Sequence, residues 1–159
     1  YCQDRFRGDK MNCRFIKTPE KRKIIAELNA QFGIEELPYL LLETGKEKLR
    51  AFSGNLSKEE ILSLAEVANI EIIGAYLLKK EHDFRLSFDA AHLLKNKISK
   101  NILEINEEQA REWMRGNDLQ IKAEKGTFVI KCKEDFLGCG KSNEEVLFNY
   151  VPKDRRRRK

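Results

Sequence analysis

Hydrophobic residues in this chain keep two rhythms, and the change between them sets the architecture. Up to about residue 80 helical and strand patterns take turns (helix, hairpin, helix, strand); further on apolar residues alternate with polar ones. Ile24, Ile25, Leu28 and Phe32 repeat as one helix face does. Thr18 before Pro19 reads as an N-cap followed by a proline in the first turn, and Gly33 as the stop. "YLLLE" and "KLRAFSG" read as two strands about a turn at Thr44-Gly45-Lys46. Ser57 and Glu60 make an S-x-x-E capping box, opening a helix with Ile61, Leu64, Ala65 and Ala68 on its buried face. "IEIIGAYLLKK" then reads as one strong strand.

Past this point the period shortens to two. In "FRLSF", Phe84, Leu86 and Phe88 alternate with Arg85 and Ser87. "DAAHLLKN" predicts a short helix, and Asn106 with Gln109 opens a second over "EEQAREWMR" that Gly116 closes. "LQIKA" and "TFVIKCK" are expected to pair around Lys125-Gly126, with Phe128, Ile130 and Cys132 on one face and Thr127, Val129, Lys131 and Lys133 on the other. "FLGCG" and "EVLFNYV" supply two more strands. Short strands with few helices predict a small β-barrel. The expected class is α+β: an α/β unit over residues 11–81, a boundary near Glu81 to Asp83, and a β-rich unit over 82–159. Residues 1–10, ahead of Met11, read as an upstream extension or an expression remnant.

A chain of 159 residues buries a real core. Charged residues make up 36%, a share familiar from proteins of hot environments. The longest apolar runs are too short to span a bilayer, and no basic-then-apolar secretion signal opens the chain. A cytoplasmic protein without a membrane partner is therefore expected. The net charge of +5 is concentrated at one end. Lys153, Arg155, Arg156, Arg157, Arg158 and Lys159 stand against the single acid Asp154, while the remainder balances. Such a run is either a solvated tail or a means of holding phosphates, whose neutralisation releases counterions. Four cysteines (Cys2, Cys13, Cys132, Cys139) form no C-x-x-C pair, and His82 and His92 lie away from them. Neither a metal site nor a disulfide is expected, and no cofactor motif is present.

"LSFDAAHLL", "EEQAREWMRGNDL" and "DFLGCGKSNEEVLFNYVPKDRR" together carry a likeness to a known family. A helix ending in a W-x-x-G-x-x-L step, a hairpin, a hydrophobic-L-G-x-G turn and "NYVPK" followed by arginine resemble a PUA domain preceded by a pre-PUA α/β domain. The pattern is similar to the C-terminal region of Sun/Fmu-type RNA cytosine-C5 methyltransferases, which archaea also encode as a short separate protein. It resembles more loosely the Nip-type ribosome-biogenesis factors. The resemblance is good over residues 70–158; before that it rests on the order of elements. It implies a PUA pseudobarrel binding structured RNA in ribosomal or transfer RNA maturation. RNA contacts would fall on Arg85, Lys95, Lys97, Lys141, Lys153, Arg155 and Arg156, with Arg157 and Arg158 continuing the basic run. The catalytic half of those methyltransferases has no counterpart in these residues: no glycine-rich loop for S-adenosylmethionine and no proline-cysteine or threonine-cysteine nucleophile. Methyl transfer is therefore not implied.

Two other functions compete. The apolar "LPYLLL" segment, if an open edge strand, would dock a separately encoded RNA methyltransferase or a ribosome-assembly factor. Cys139 between Gly138 and Gly140 would serve a cysteine enzyme if a base lay close and its pKa were lowered. The simpler reading makes it a small packed residue at a sharp strand entry, with Cys132 in the core. Trp113 reads as core rather than a stacking platform, Glu107 and Glu108 as first-turn acids favoured by the helix dipole, and the histidines as surface groups. Lys131, Lys133 and Lys141 read as solvent-facing, available to extend a basic stripe.

Overall fold

The computed structural model describes residues 13–45, 47–68, 70 and 72–158. The suggested extension at 1–10, Met11, Lys46 of the first turn and Lys159 of the basic run lie outside the described residues. The elements run β1 (Cys13–Phe15), α1 (Thr18–Phe32), β2 (Leu40–Thr44), β3 (Lys48–Phe52), α2 (Lys58–Val67), β4 (Ala75–Lys80), β5 (Phe84–Leu86), α3 (Phe88–Leu93), β6 (Ile102–Glu104), α4 (Glu107–Met114), β7 (Gly126–Cys132), β8 (Asp135–Ser142) and β9 (Leu147–Asn149), ending in a 3₁₀ turn at Lys153–Arg155. Two sheets result, ordered β1-β2-β3-β4-β5 and β6-β7-β8-β9. The first is antiparallel throughout; in the second β6 runs parallel to β7 and the other pairs are antiparallel. The architecture is α+β.

Most helix signals act where expected. Gly33 ends α1 at φ 78°, with its N–H on the Asn29 carbonyl, and Ile24, Leu28 and Phe32 are buried. Both capping boxes close: Ser57 with Glu60, and Asn106 with Gln109. Thr18 is not the cap. It is already helical; Lys17 holds the N-cap position with no side-chain cap bond, and Pro19 sits in the first turn. On α2 only Ile61 is buried; Leu64 is 44% exposed and Ala68 lies exposed beyond the helix end. Ile61 and, in part, Leu62 meet the small cluster of Cys13, Phe15, Leu42 and Ile73, while Leu64 and Val67 further along face water.

The strand expectations need three corrections. "IEIIGAYLLKK" becomes strand only at Ala75. Gly74, at φ 71°, turns the chain where an added Cβ would lie 2.4 Å from the Ala51 carbonyl oxygen. The Arg50 side chain donates to the carbonyls of Ile73 (3.0 Å) and Gly74 (2.6 Å), replacing the missing ladder. In "FRLSF" the alternation stops at Leu86, because Ser87 caps α3 by accepting from the Ala90 N–H at 3.0 Å, and Phe88 is helical. "LQIKA" is not a strand; among its residues Leu119 alone forms a bridge, to Leu147. β7 already has β6 on one side and β8 on the other, so its hairpin turns at Lys133–Glu134 and leaves "LQIKA" no edge.

β5 completes the first sheet, and the principal core is shared. Leu28, Phe32, Leu41, Leu49, Leu78 and Leu86 pack with Ala91, Leu94, Val129, Phe136 and Cys139. A second core lies inside the β6–β9 sheet around Trp113, with Ile105, Leu119, Ile130, Leu147 and Val151. β7 separates the two. Phe128, Ile130 and Cys132 join the Trp113 cluster, whereas Val129, on the opposite face and fully buried, joins the shared core. Cys132, at the end of its strand, is half-buried and packs against the edge of the Trp113 core.

Candidate nucleic-acid interface

The C-terminal basic run is folded against the molecule. Asn149, at the end of β9, begins the anchoring. Its side-chain amide donates to the carbonyls of Trp113 (2.7 Å) and Asn117 (2.9 Å), and its side-chain carbonyl accepts from the Val151 N–H at 2.8 Å. After Pro152 the chain makes its 3₁₀ turn, and the Arg157 N–H donates to the Met114 carbonyl at 2.7 Å. Met114 is the last residue of α4, one of the carbonyls a helix leaves unsatisfied. The Arg156 Nε donates to the Val151 carbonyl at 3.0 Å while the guanidinium lies against Gly116. A Cβ on Gly116, which has φ 92°, would come within 2.5 Å of that nitrogen.

This anchoring fixes the arginine heads. Arg155 donates to the Asp89 carboxylate at 3.0 Å, reaching the start of α3. Arg85 on β5 stacks 3.9 Å from the centroid of the Tyr150 ring and pairs with Glu81 at 3.4 Å. Its position joins the end of the first sheet to the end of the second. Arg157 lines a groove of ≈330 Å³ with Arg111, Lys133, Glu107 and Asp135. Lys153 and Arg158 are exposed on the same terminal segment.

The remaining expected residues lie elsewhere. Lys95 and Lys97 follow the far end of α3, about 9 Å along a six-residue helix from its start. Lys97 faces Glu36 at 3.4 Å. Lys141 is exposed on β8, paired across the sheet with Thr127 and Phe148. Arg85 and Arg155 thus flank the Phe88–Asp89 step, Arg156 and Arg157 lie along the end of α4, and Lys95, Lys97 and Lys141 stand apart. Lys131 stacks on Phe136 at 5.7 Å, and Lys133 pairs with Glu107, holding that carboxyl below its usual range.

Cys139 is 3% exposed, and burial pushes its thiol up to about 12, away from the thiolate a nucleophile requires. Its flanking glycines have packing reasons. A Cβ on Gly140 would fall 2.7 Å from the Trp113 ring, and Gly138 sits at φ 80° with Phe88 close by. Trp113 is fully buried and donates from Nε1 to the Leu137 carbonyl at 2.8 Å. "LPYLLL" does not offer an open edge: β2 is paired on both sides, by β1 and β3. Among the described residues no three His, Cys, Asp or Glu side chains gather as metal ligands would, and no helix is long and apolar enough to cross a membrane.

Sequence reasoning overlooked an apolar cleft of ≈470 Å³ beside Asp89, whose aromatic lining includes Tyr39, Tyr76, Phe88 and His92. These residues come from three separate stretches, so no local motif announces them. Tyr150 was in view within "NYVPK", but its stacking partner lies 65 positions away in sequence.

Residues 100–157 match the family model described as the PUA domain of the methyltransferase RsmF. No curated protein matches the chain. Among solved structures, the chain is similar to a conserved PUA domain protein from Thermoplasma acidophilum at 15% identity and a TM-score of 0.59. The match covers 90% of this chain and 95% of that one.

Proposed function

We propose that this PUA-domain protein, which resembles the C-terminal region of Sun/Fmu-type methyltransferases, is an RNA-binding module acting in the cytoplasm in ribosomal or transfer RNA maturation. In this reading residues 11–81 form the pre-PUA part and 82–159 the PUA part with its basic end, the two sharing one core. The observation that carries the reading is the anchored terminus: Arg155, Arg156 and Arg157 are each tied to the folded body through side chain or backbone. Cations held in place lose less freedom on meeting phosphates than cations on a free tail. Arginine forks suit phosphate oxygens, and Arg85 with Tyr150 adds a flat stacked surface beside them. Because the deep groove of A-form RNA is closed to side chains, selectivity would come from shape and from unpaired positions. Lys153 extends the contact, and Lys95, Lys97 and Lys141 form its outer margin. The chain acts by binding, without chemistry of its own: Cys139, the one nucleophile the sequence put forward, is buried and protonated.

Photo-crosslinking to cellular RNA, followed by sequencing of the RNA and mapping of the peptides, tests this reading. Crosslinks to structured ribosomal or transfer RNA on the segments around Arg85 and after Phe148 are the expected result. Crosslinks confined to α2 and the first hairpin would overturn it. A second reading, docking onto a methyltransferase or assembly protein, draws on Leu64, Val67 and Ile72, which are 44%, 84% and 70% exposed. A stable protein partner recovered from native extract by the wild type but not by a Val67→Asp, Ile72→Asp variant would favour it.

A further inference from the structure

The apolar cleft between the first sheet and α3 is not accounted for by phosphate binding. Tyr39, Ala51, Tyr76 and Leu77 line it from the first sheet and its approach, and Phe88, Asp89, His92 and Leu93 from α3. Its volume of ≈470 Å³ falls within the ~300–1,000 Å³ typical of sites that enclose small organic groups. Leu93 is 61% exposed at this cleft, so apolar surface there faces water.

Cations meet two of the lining residues. The Lys48 ammonium lies 5.8 Å from the centre of the Tyr76 ring. Arg155 holds Asp89, which is itself a lining residue. Arg85 stands on β5, which leads straight into α3, and the intervening Ser87 donates from Oγ to the Tyr76 carbonyl at 2.7 Å. An aromatic, apolar floor beneath a cationic rim suits a flat ring carried on a polyanion. The ring stacks below while its flanking phosphates meet Lys48, Arg85 and Arg155. The Asp89 carboxylate and the His92 imidazole offer hydrogen-bonding groups to the ring edge.

We propose that this cleft receives one unpaired nucleobase of the bound RNA, stacked on Tyr76 or Phe88, with its neighbouring phosphates on the rim cations. The proposal rests on the RNA-binding reading and adds the position at which RNA must be single-stranded. It also gives Arg155 two functions, because the residue that grips phosphate also orients Asp89 at the cleft edge.

Hairpin RNA carrying 2-aminopurine provides the test, with the analogue unpaired in the loop or paired in the stem. Binding of the full chain should quench the loop probe and leave the stem probe unchanged. Leu93→Asp, at an exposed position, and Tyr76→Leu, which keeps apolar bulk but removes the ring, should both diminish the quench. Each should also lower the preference for the looped RNA over a matched duplex on the order of tenfold. Should Tyr76→Leu fail to fold, Leu93→Asp decides alone. RNA binding with no quench of the loop probe, or a quench undiminished in the folded variants, overturns the cleft assignment and leaves the phosphate grip standing. Absence of binding to any RNA at low salt removes both. Concentration-dependent self-association abolished by Leu93→Asp would give the cleft to a second copy of the chain and also overturn the proposal.

Discussion

Gly140 is a glycine because of Trp113. The indole fills the second core with no exposed surface, and the nearest ring carbon would lie 2.7 Å from any Cβ at position 140, with a Leu147 methyl at 3.0 Å. The ring is held by its hydrogen bond to the Leu137 carbonyl, so it has little room to retreat. Gly140→Ala should therefore cost about 1–3 kcal/mol, the range for forcing a methyl into a packed core. The measurement is a lowered denaturant midpoint with the slope retained. Cys139, beside it in the middle of β8, was legible as scaffold from its glycine neighbours, and the buried thiol agrees. For Cys132 alternation gave the core-facing side but not how far lateral neighbours cover the end of a strand. Tyr76 and Tyr150 were hidden, because stacking depends on partners far along the chain.

At the scale of elements, capping was the most readable signal, since a box is written within four residues. The two boxes support helices of different importance. α4 carries Trp113 into the second core and receives the C-terminal segment, whereas α2 buries Ile61 alone. Asn106→Ala should cost about 1 kcal/mol of global stability, seen by chemical denaturation. Ser57→Ala should instead speed amide exchange within α2 and change the global midpoint less, because that helix can open locally. Strand partners were harder to read. The turn signal at Lys125-Gly126 predicted a hairpin with "LQIKA", yet the hairpin formed at Lys133–Glu134, where Lys133 takes φ 54° without help from glycine. A parallel partner arriving through α4 filled the other side of β7, and such long-range competition leaves no local mark.

The edge strand β1 is tied to α1 and β2 by charge. Arg14 bonds Glu20 at 2.8 Å and also Glu43, and the hydrogen bond from Arg14 holds the Glu20 carboxyl below its ordinary 4.5. A carboxyl depressed in the folded state stabilises the fold above its unfolded pKa, and that contribution disappears as pH falls through the folded value. Glu20→Gln should therefore lower the melting temperature at neutral pH and make the loss between pH 5 and the acid limit shallower than in the wild type. Because both partners are about one-third exposed, added salt should narrow the difference.

Over the whole molecule, two sheets close on one shared core, and the terminal segment up to Arg157 folds back onto α3 and the end of α4. The concentration of charge at the C-terminus could be counted from composition, but its anchoring could not. Met114, Gly116 and Asp89, which receive the terminal segment, lie roughly forty to sixty-five residues upstream. The α+β class was readable from the order of helical and strand patterns along the chain. The shared core was not, because Val129 sits on a strand face that pattern alone assigned to solvent. The functional account depends on that terminus presenting arginines at fixed positions to RNA phosphates. Its most direct test is the salt dependence of affinity for a structured RNA, comparing the wild type with an Arg155→Gln, Arg157→Gln, Arg158→Gln variant, which keeps the Arg157 backbone bond to Met114. If about six phosphates are neutralised, wild-type affinity should fall on the order of 10³-fold between about 50 and 200 mM salt, and the variant should lose ~0.7–0.9 of log–log slope for each contact removed. Equal slopes for the two proteins would contradict the account.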